Sequence, residues 1–323
     1  MLSMRARFLH LVSLTILASV TLKLAYDVFS GSTPAFPPQP RNFSRRGGIL
    51  CQNADFSPQH TKAVWTMLTD DSNYMLSTLK LGHSLRTHTP DPFDMVVMEL
   101  ATKPLNTTAW TCLRAVGWQR CVVDRISPLD EVAIQRYIPR FKDQFTKLHL
   151  WDMTMYKTLV YLDSDTLTLR SISHLLDRNL GTKRIAVSPQ TWYGRVEGFN
   201  MGVFVIHPDK NEYQRLLTLQ EDPSIKFHSK WAEQGFLNVV YKDQWADLGF
   251  NNNALAWVSW QDHAYWTHNY PHINIIHYVG MKPWICLPDV FIQWLIAPSD
   301  YYHAVCQVWR DTPPDTCLDQ KSK

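Results

Sequence analysis

Two carboxylates, Asp163 and Asp165, flank Ser164 directly after the apolar run Thr158-Leu159-Val160-Tyr161-Leu162. Like charges that close together repel, and partial burial adds a desolvation cost. A hard divalent cation relieves both, because Mg²⁺ and Mn²⁺ favour carboxylate and phosphate oxygens. The same triplet also occurs in turns and helix caps, so the bland reading stands beside the metal reading. A second polar segment, Thr69-Asp70-Asp71-Ser72-Asn73-Tyr74, follows another apolar run at 63–68.

Both segments depend on the elements that place them. Residues 63–68, 95–98, 121–123, 158–162, 185–187 and 202–206 read as strands. Residues 105–116 read as a helix, as does the stretch from Tyr74 through Leu76, Leu79, Leu81 and Leu85 to a stop at His88 and Pro90. Residues 146–155 are expected to form an amphipathic helix. Strands alternating with helices predict an α/β fold with a mostly parallel sheet. In such sheets ligands gather at the carboxyl ends of strands, where both polar segments lie.

Further motifs follow in order. They are Lys147-Leu148-His149-Leu150-Trp151, then Tyr156 through Leu167, Phe199-Asn200-Met201-Gly202-Val203-Phe204-Val205, Glu233-Gln234-Gly235-Phe236-Leu237-Asn238 and His277-Tyr278-Val279-Gly280-Met281-Lys282-Pro283-Trp284. Together with the segment 68–74 and Leu81-Gly82-His83-Ser84-Leu85, this series resembles the glycogenin-like branch of glycosyltransferase family 8 over residues 64–284. The resemblance implies a single GT-A-type, Rossmann-like nucleotide-sugar-binding domain with a mostly parallel mixed sheet. It implies a retaining hexosyltransferase that uses a UDP-sugar donor.

It also implies roles, residue by residue. Asp163, Asp165 and His277 would hold Mn²⁺, with Mg²⁺ the alternative, against the diphosphate; the added imidazole suits Mn²⁺ better. A lone His is otherwise most often a satisfied core residue. Gly280 would let the backbone approach the diphosphate and Lys282 would neutralise the departing UDP. Lys147 would reach phosphate or sugar. Thr69, Asp71 and Tyr74 would hold uridine and ribose, with Tyr74 stacked on the base. Asn200 and Glu233 would bind sugar hydroxyls, and Gln234 would lie beside the anomeric carbon. Gln234 is a poor nucleophile, which favours front-face substitution over a double displacement unless Glu233 serves.

The chain departs from the family pattern on the sugar and acceptor side. Val258 stands where glycogenin carries the tyrosine it glucosylates, and the register does not bring in Tyr265 or Tyr270. Self-glucosylation is therefore not expected. Met201 replaces a small residue, and Ser188-Pro189-Gln190-Thr191 lacks the expected carboxylate, Glu197 being the nearest. Donor identity stays open among UDP-glucose, UDP-galactose, UDP-N-acetylglucosamine and UDP-glucuronate. Two alternatives remain: an inactive UDP-sugar-binding relative, and a haloacid-dehalogenase-like phosphatase, which Leu167 and the late position of the triplet disfavour.

Composition narrows the class. With 323 residues, 45% hydrophobic and 19% charged, the chain can bury a large core, and a net charge of +3 gives no case for nucleic acid. Thirteen tryptophans suit a carbohydrate-facing cleft, though most tryptophans fill cores. Arg5 and Arg7 precede an uncharged run over 8–22, after which Lys23 can snorkel before Leu24-Ala25-Tyr26. That run is shorter than the roughly 20 residues of a full span. The flanking charge favours an uncleaved signal-anchor with a luminal body, a cleaved signal peptide being the rival. The expected organisation is a tail and anchor (1–29), a stem marked by Pro34, Pro37, Pro38 and Pro40 (30–60), a catalytic domain (61–310) and a C-terminal tail (311–323). Sequons at Asn42 and Asn106 and six cysteines fit the secretory lumen. Two or three disulfides are expected, Cys112–Cys121 first. The placement this implies is a single-pass type II Golgi membrane protein acting on a carbohydrate, glycoprotein or glycolipid acceptor. The sequence carries no signal for an oligomeric state.

Overall fold

The runs at 63–68, 95–98 and 158–162 are continuous in hydrophobicity because both of their faces are covered. The computed structural model describes residues 51, 56–69, 73–137, 139–192, 195–280, 282–285 and 300–313. Its strands are β1 (Lys62–Leu68), β2 (Asp94–Leu100), β3 (Trp118–Val123), β4 (Thr158–Leu162), β5 (Thr166–Thr168), β6 (Ile185–Trp192), β7 (Arg195–Ile206), β8 (Trp245–Asp247), β9 (Ala254–Leu255) and β10 (Ile275–His277).

Seven strands form one sheet in the order β3-β2-β1-β4-β7-β6-β8. Pairings β1–β2, β1–β4, β2–β3 and β6–β8 are parallel, and β7 runs antiparallel to both β4 and β6. The expected mostly parallel mixed sheet is therefore present. Alternate residues of β1 separate two cores. Ala63, Trp65 and Met67 join Phe145, Leu148, Trp151 and Phe236 on one face. Val64 and Leu68 join Leu79, Leu85 and Leu113 from the helices Asn73–His88 and Thr107–Ala115 on the other.

Three features differ from the sequence reading. Residues 146–155 are not an amphipathic α-helix; a 3₁₀ run covers Pro139–Asp152. Phe145 through Trp151 are all buried, so no solvent face exists to select the 3.6-residue period. A second sheet, β5-β10-β9, was not anticipated, because its strands are only two or three residues long. It carries a third core to which Val305, Cys306 and Trp309 of the helix Asp300–Asp311 contribute.

The third difference concerns the cysteines. Cys121 pairs with Cys51 rather than Cys112, with Cα atoms 4.8 Å apart. The sheet itself explains this: Cys51 and Cys121 share one core and Cys112 lies in the other. Cys112 and Cys306 each also take part in a disulfide. Asn106 is exposed and caps its helix by accepting from the Ala109 amide at 2.8 Å. Among the described residues no helix is long and apolar enough to cross a membrane. The proposed anchor, the stem through residue 50 and Asn42 lie outside the described residues.

Candidate active site

The chain leaves β4 at Leu162 and re-enters a strand at Thr166, so Asp163-Ser164-Asp165 is a tight link between the two sheets. The Asp163 amide donates to the Gly202 carbonyl at 2.7 Å, and the Thr166 amide and hydroxyl both return to the Asp163 carbonyl. Antiparallel pairing of β5 with β10 sets His277 opposite Thr166. The Tyr278 amide donates to the Asp165 carbonyl at 3.0 Å, locking that register.

Asp163, Asp165 and His277 thereby converge, with one ligand atom from each inside a 4.8 Å cluster. His277 Nε2 lies 3.4 Å from Asp165 Oδ1 and 3.7 Å from Asp163 Oδ2. These separations exceed ordinary hydrogen bonds. A six-coordinate cation with bonds of about 2.1–2.5 Å sets neighbouring ligands about 3.0–3.5 Å apart. Two carboxylates and an imidazole therefore fit a divalent cation in chemistry, and in spacing for the Asp165–His277 pair, with the Asp163–His277 pair slightly wider. Gly202 makes the fit possible: a Cβ there would fall 2.0 Å from His277 Cε1.

Two lysines complete the electrostatics. Lys147, fully buried on the 3₁₀ run, donates to Asp163 at 3.0 Å and to Glu233 at 2.9 Å, with its Nζ 4.8 Å from the centre of the Tyr161 ring. Burial opposes its charge, but the two carboxylates outweigh that and hold its pKa above the usual lysine range. Lys282 pairs with Asp165 and donates to the Tyr278 carbonyl at 3.1 Å. Burial would raise the Asp165 pKa; Lys282 and His277 more than offset it and hold it well below the carboxylate range. Burial pushes Glu233 up, against the pull of Lys147.

Glu233 and Gln234 open the helix Ala232–Val240. The preceding residue, Ala232, is buried and has φ 44° and ψ −126°, a strained conformation for an alanine. Gln234 Oε1 accepts from the Met201 amide at 3.1 Å, which ties this helix to β7. Asn200 is buried; its Oδ1 accepts from the Gly202 amide and from Asn253, and its Nδ2 donates to Gln190.

On the nucleotide side, Thr69 lies half-buried just beyond β1, and Tyr74 stands in the first turn of the following helix. The Tyr74 ring meets Trp284 edge-on at 4.6 Å, and Lys282 Nζ is 5.9 Å from its centre. Thus the opening segment and the C-terminal motif are neighbours. Gly280 has φ 84° and open space where a Cβ would stand, so backbone conformation is what calls for glycine there. Asp71 lies outside the described residues.

Sequence reasoning missed four polar or small groups around this cluster: Tyr161, whose hydroxyl donates to Asp163 Oδ1 at 2.9 Å, and Gly202, Gln190 and Asn253. A tyrosine in an otherwise aliphatic strand was a usable signal for the first. Asn253, third in Asn251-Asn252-Asn253, had none.

A mixed sheet with a carboxylate–imidazole cluster at the strand ends defines a GT-A-like α/β protein. The galactosyltransferase LgtC, solved with donor and acceptor sugar analogs, aligns with a TM-score of 0.55 and 17% identity over 77% of this chain and 94% of that one. The apo-form glycosyltransferase GlyE of Streptococcus pneumoniae TIGR4 aligns with a TM-score of 0.56 and 18% identity, covering 81% and 63%. Glycosyl transferase family 8 matches residues 66–286, and the chain belongs to that family. Human glycogenin-1 is 30% identical over 234 residues, 69% of this chain and 63% of that protein. A putative UDP-glucuronate:xylan alpha-glucuronosyltransferase 4 of Arabidopsis thaliana is 26% identical over 250 residues, covering 73% and 39%. Inositol phosphorylceramide glucuronosyltransferase 1 of the same plant is 26% identical over 298 residues, covering 82% and 49%. The chain thus spans less than half the length of these two plant relatives.

Proposed function

We propose that this chain is a retaining, divalent-metal-dependent hexosyltransferase that moves a sugar from a UDP-sugar to a glycan, glycoprotein or glycolipid acceptor in the secretory pathway. The observation that carries the reading is the convergence of Asp163, Asp165 and His277 between two buried or half-buried lysines. These three side chains would hold Mn²⁺, or Mg²⁺ in its place. Bound there, the cation supplies charge neutralisation to a diphosphate leaving group.

The chain's own residues do the rest. Lys282 exchanges its carboxylate partner for the diphosphate oxygens that gain charge as the anomeric C–O bond breaks. Gly280 permits the backbone to approach that diphosphate, and Tyr74 with Thr69 and Asp71 receives the nucleoside. Glu233, held by Lys147, accepts from sugar hydroxyls. Asn200 has one N–H left for the same purpose after Gln190 takes the other. Gln234, its oxygen fixed on β7, turns its amide nitrogen toward the anomeric face. The acceptor hydroxyl attacks from the side the diphosphate leaves, forming the new C–O bond and passing its proton to the departing phosphate oxygen.

Luminal placement on a type II Golgi anchor is part of the same reading; the disulfides support it, since such bonds persist in oxidising compartments. Family membership removes the phosphatase alternative. The deciding experiment is calorimetry with a UDP-sugar panel, with and without Mn²⁺, followed by UDP release from the donor that binds. Metal-dependent binding of one donor and loss of UDP release in D163N/D165N are expected. Absence of nucleotide binding would replace the enzyme with an inactive scaffold.

A further inference from the structure

A chain of buried amides runs behind the metal cluster, and one backbone group sets its polarity. The Gly202 N–H can only donate, and it donates to Asn200 at 2.9 Å, so the facing atom is Oδ1. The same Oδ1 receives Asn253 at 2.9 Å, which must therefore present Nδ2 to it and Oδ1 to the other side. On that other side, 2.9 Å away, is His277 Nδ1. An amide oxygen only accepts, so Nδ1 carries a proton, and the neutral ring has its lone pair on Nε2, the atom facing Asp163 and Asp165. In the opposite direction Asn200 Nδ2 meets Gln190 Oε1 at 2.8 Å, leaving Nε2 as the donor end of the relay.

Every member is buried: Asn253 is 2% exposed, His277 and Gln190 3% and Asn200 6%. No member can reverse without setting two oxygens or two N–H groups face to face in a dry interior. Gln190 is unpaired at an irregularity in the β6–β7 ladder, between Pro189 and Thr191. Such bulges re-aim side chains, which is how it reaches Asn200.

We propose that Asn253 is a positioning residue that holds His277 in the Nδ1–H tautomer as an Nε2 ligand, and that through Asn200 and Gln190 it couples the metal cluster to the sugar-side wall. The inference rests on the metal-site reading above. Two substitutions separate its parts. Asn253→Leu keeps the branched heavy-atom shape but removes both contacts. Asn253→Asp still accepts from His277 Nδ1–H but cannot donate to Asn200.

The test uses the purified protein, Mn²⁺ titrated calorimetrically, thermal melts, and NMR of the metal-free imidazole rings at a pH where they are neutral. His277 is assigned by its loss in His277→Gln. In the unsubstituted protein His277 should show the Nδ1–H pattern; an Nε2–H pattern overturns the proposal whether or not metal binds. Asn253→Leu should weaken Mn²⁺ binding 10–100-fold, the usual effect of removing a partner that orients a ligating histidine. Asn253→Asp should retain Mn²⁺ affinity within a few-fold yet raise the donor KM. Equal losses of Mn²⁺ affinity in both variants, tracking their melting temperatures, would reduce Asn253 to a packing residue and overturn the proposal. Native Mn²⁺ affinity in Asn253→Leu would overturn it too. Lack of Mn²⁺ binding by the unsubstituted protein would remove the metal-site reading and with it the ligand role of His277.

Discussion

Gly202 offers the sharpest perturbation. It lies inside β7, and its φ is not in the left-handed region, so alanine meets no backbone strain there. The obstacle is steric. A Cβ would sit 2.0 Å from His277 Cε1, 2.5 Å from Nδ1 and 2.9 Å from Nε2, where ordinary contact begins near 3.4 Å. The ring would have to retreat by about 1.4 Å, the difference between that contact and the closest approach. It is not free to do so, because Nδ1 is held on Asn253 at 2.9 Å and the chain behind it is pinned by the Tyr278 amide. A retreat of that size breaks the Asn253 bond and draws Nε2 away from the carboxylates. G202A should therefore cost about 1–3 kcal/mol of stability, as overpacking of a tight core does. It should weaken Mn²⁺ binding by roughly 10–100-fold. The assay is a denaturant melt paired with Mn²⁺ calorimetry, repeated in a His277→Ala background. With the ring removed, the additional stability cost of G202A should shrink to within ~0.5 kcal/mol. Native stability and native Mn²⁺ affinity in G202A, or an undiminished cost beside His277→Ala, would refute the steric account.

Two further outcomes follow from groups outside the cluster. His149 is buried, with Nε2 against the Asp124 carbonyl and Nδ1 against the Tyr213 hydroxyl, each at 2.8 Å; burial lowers its pKa from 6.5 to about 4. Between those values the unfolded ring takes a proton that the folded one refuses, so stability falls as pH drops from 6.5 toward 4, by up to about 3 kcal/mol. Urea melts across that range should show a shallower pH slope in His149→Gln; an unchanged slope would remove His149 as the cause. Cys51 and Cys121 close a 70-residue separation, so C51S/C121S should lose about 4 kcal/mol on the chain-entropy account. Non-reducing peptide mapping should recover Cys51 linked to Cys121, and a Cys112–Cys121 peptide would contradict the sheet placing them in separate cores.

Much of this protein was legible before any fold. The burial of β1, β2 and β4 on both faces made them continuous apolar runs, and the helices at Asn73–His88 and Thr107–Ala115 announced themselves by period and by stop signals at His88 and Pro90. Asp163 and Asp165 could be singled out because two neighbouring carboxylates after a buried strand need a neutralising partner, and ordered motifs supplied His277 as a third ligand, with Lys147 and Lys282 expected on the phosphate; that both lysines also pair with the carboxylates emerged only in the structure. Sequence order, however, cannot show which atoms touch. The antiparallel β5–β10 register is carried by three-residue strands with no detectable period, yet it alone brings His277 across from Thr166 and beside Asp165. The 3₁₀ run that lifts Lys147 between Asp163 and Glu233 is buried at every position from Phe145 to Trp151, which erases the amphipathic signature that sequence reading depends on. Cys121 chose Cys51 because β3 turns Cys121 into the core that holds Cys51, while the helix carrying Cys112 packs on the opposite face of the sheet. The carboxylate pair, the expectation of a divalent cation and the glycosyltransferase family were thus legible in residue type and order. The direction of the Gly202–Asn200–Asn253–His277 relay, and the tautomer it imposes, comes from tertiary structure, because a hydrogen bond's polarity is fixed only when donor and acceptor meet in a place water cannot enter.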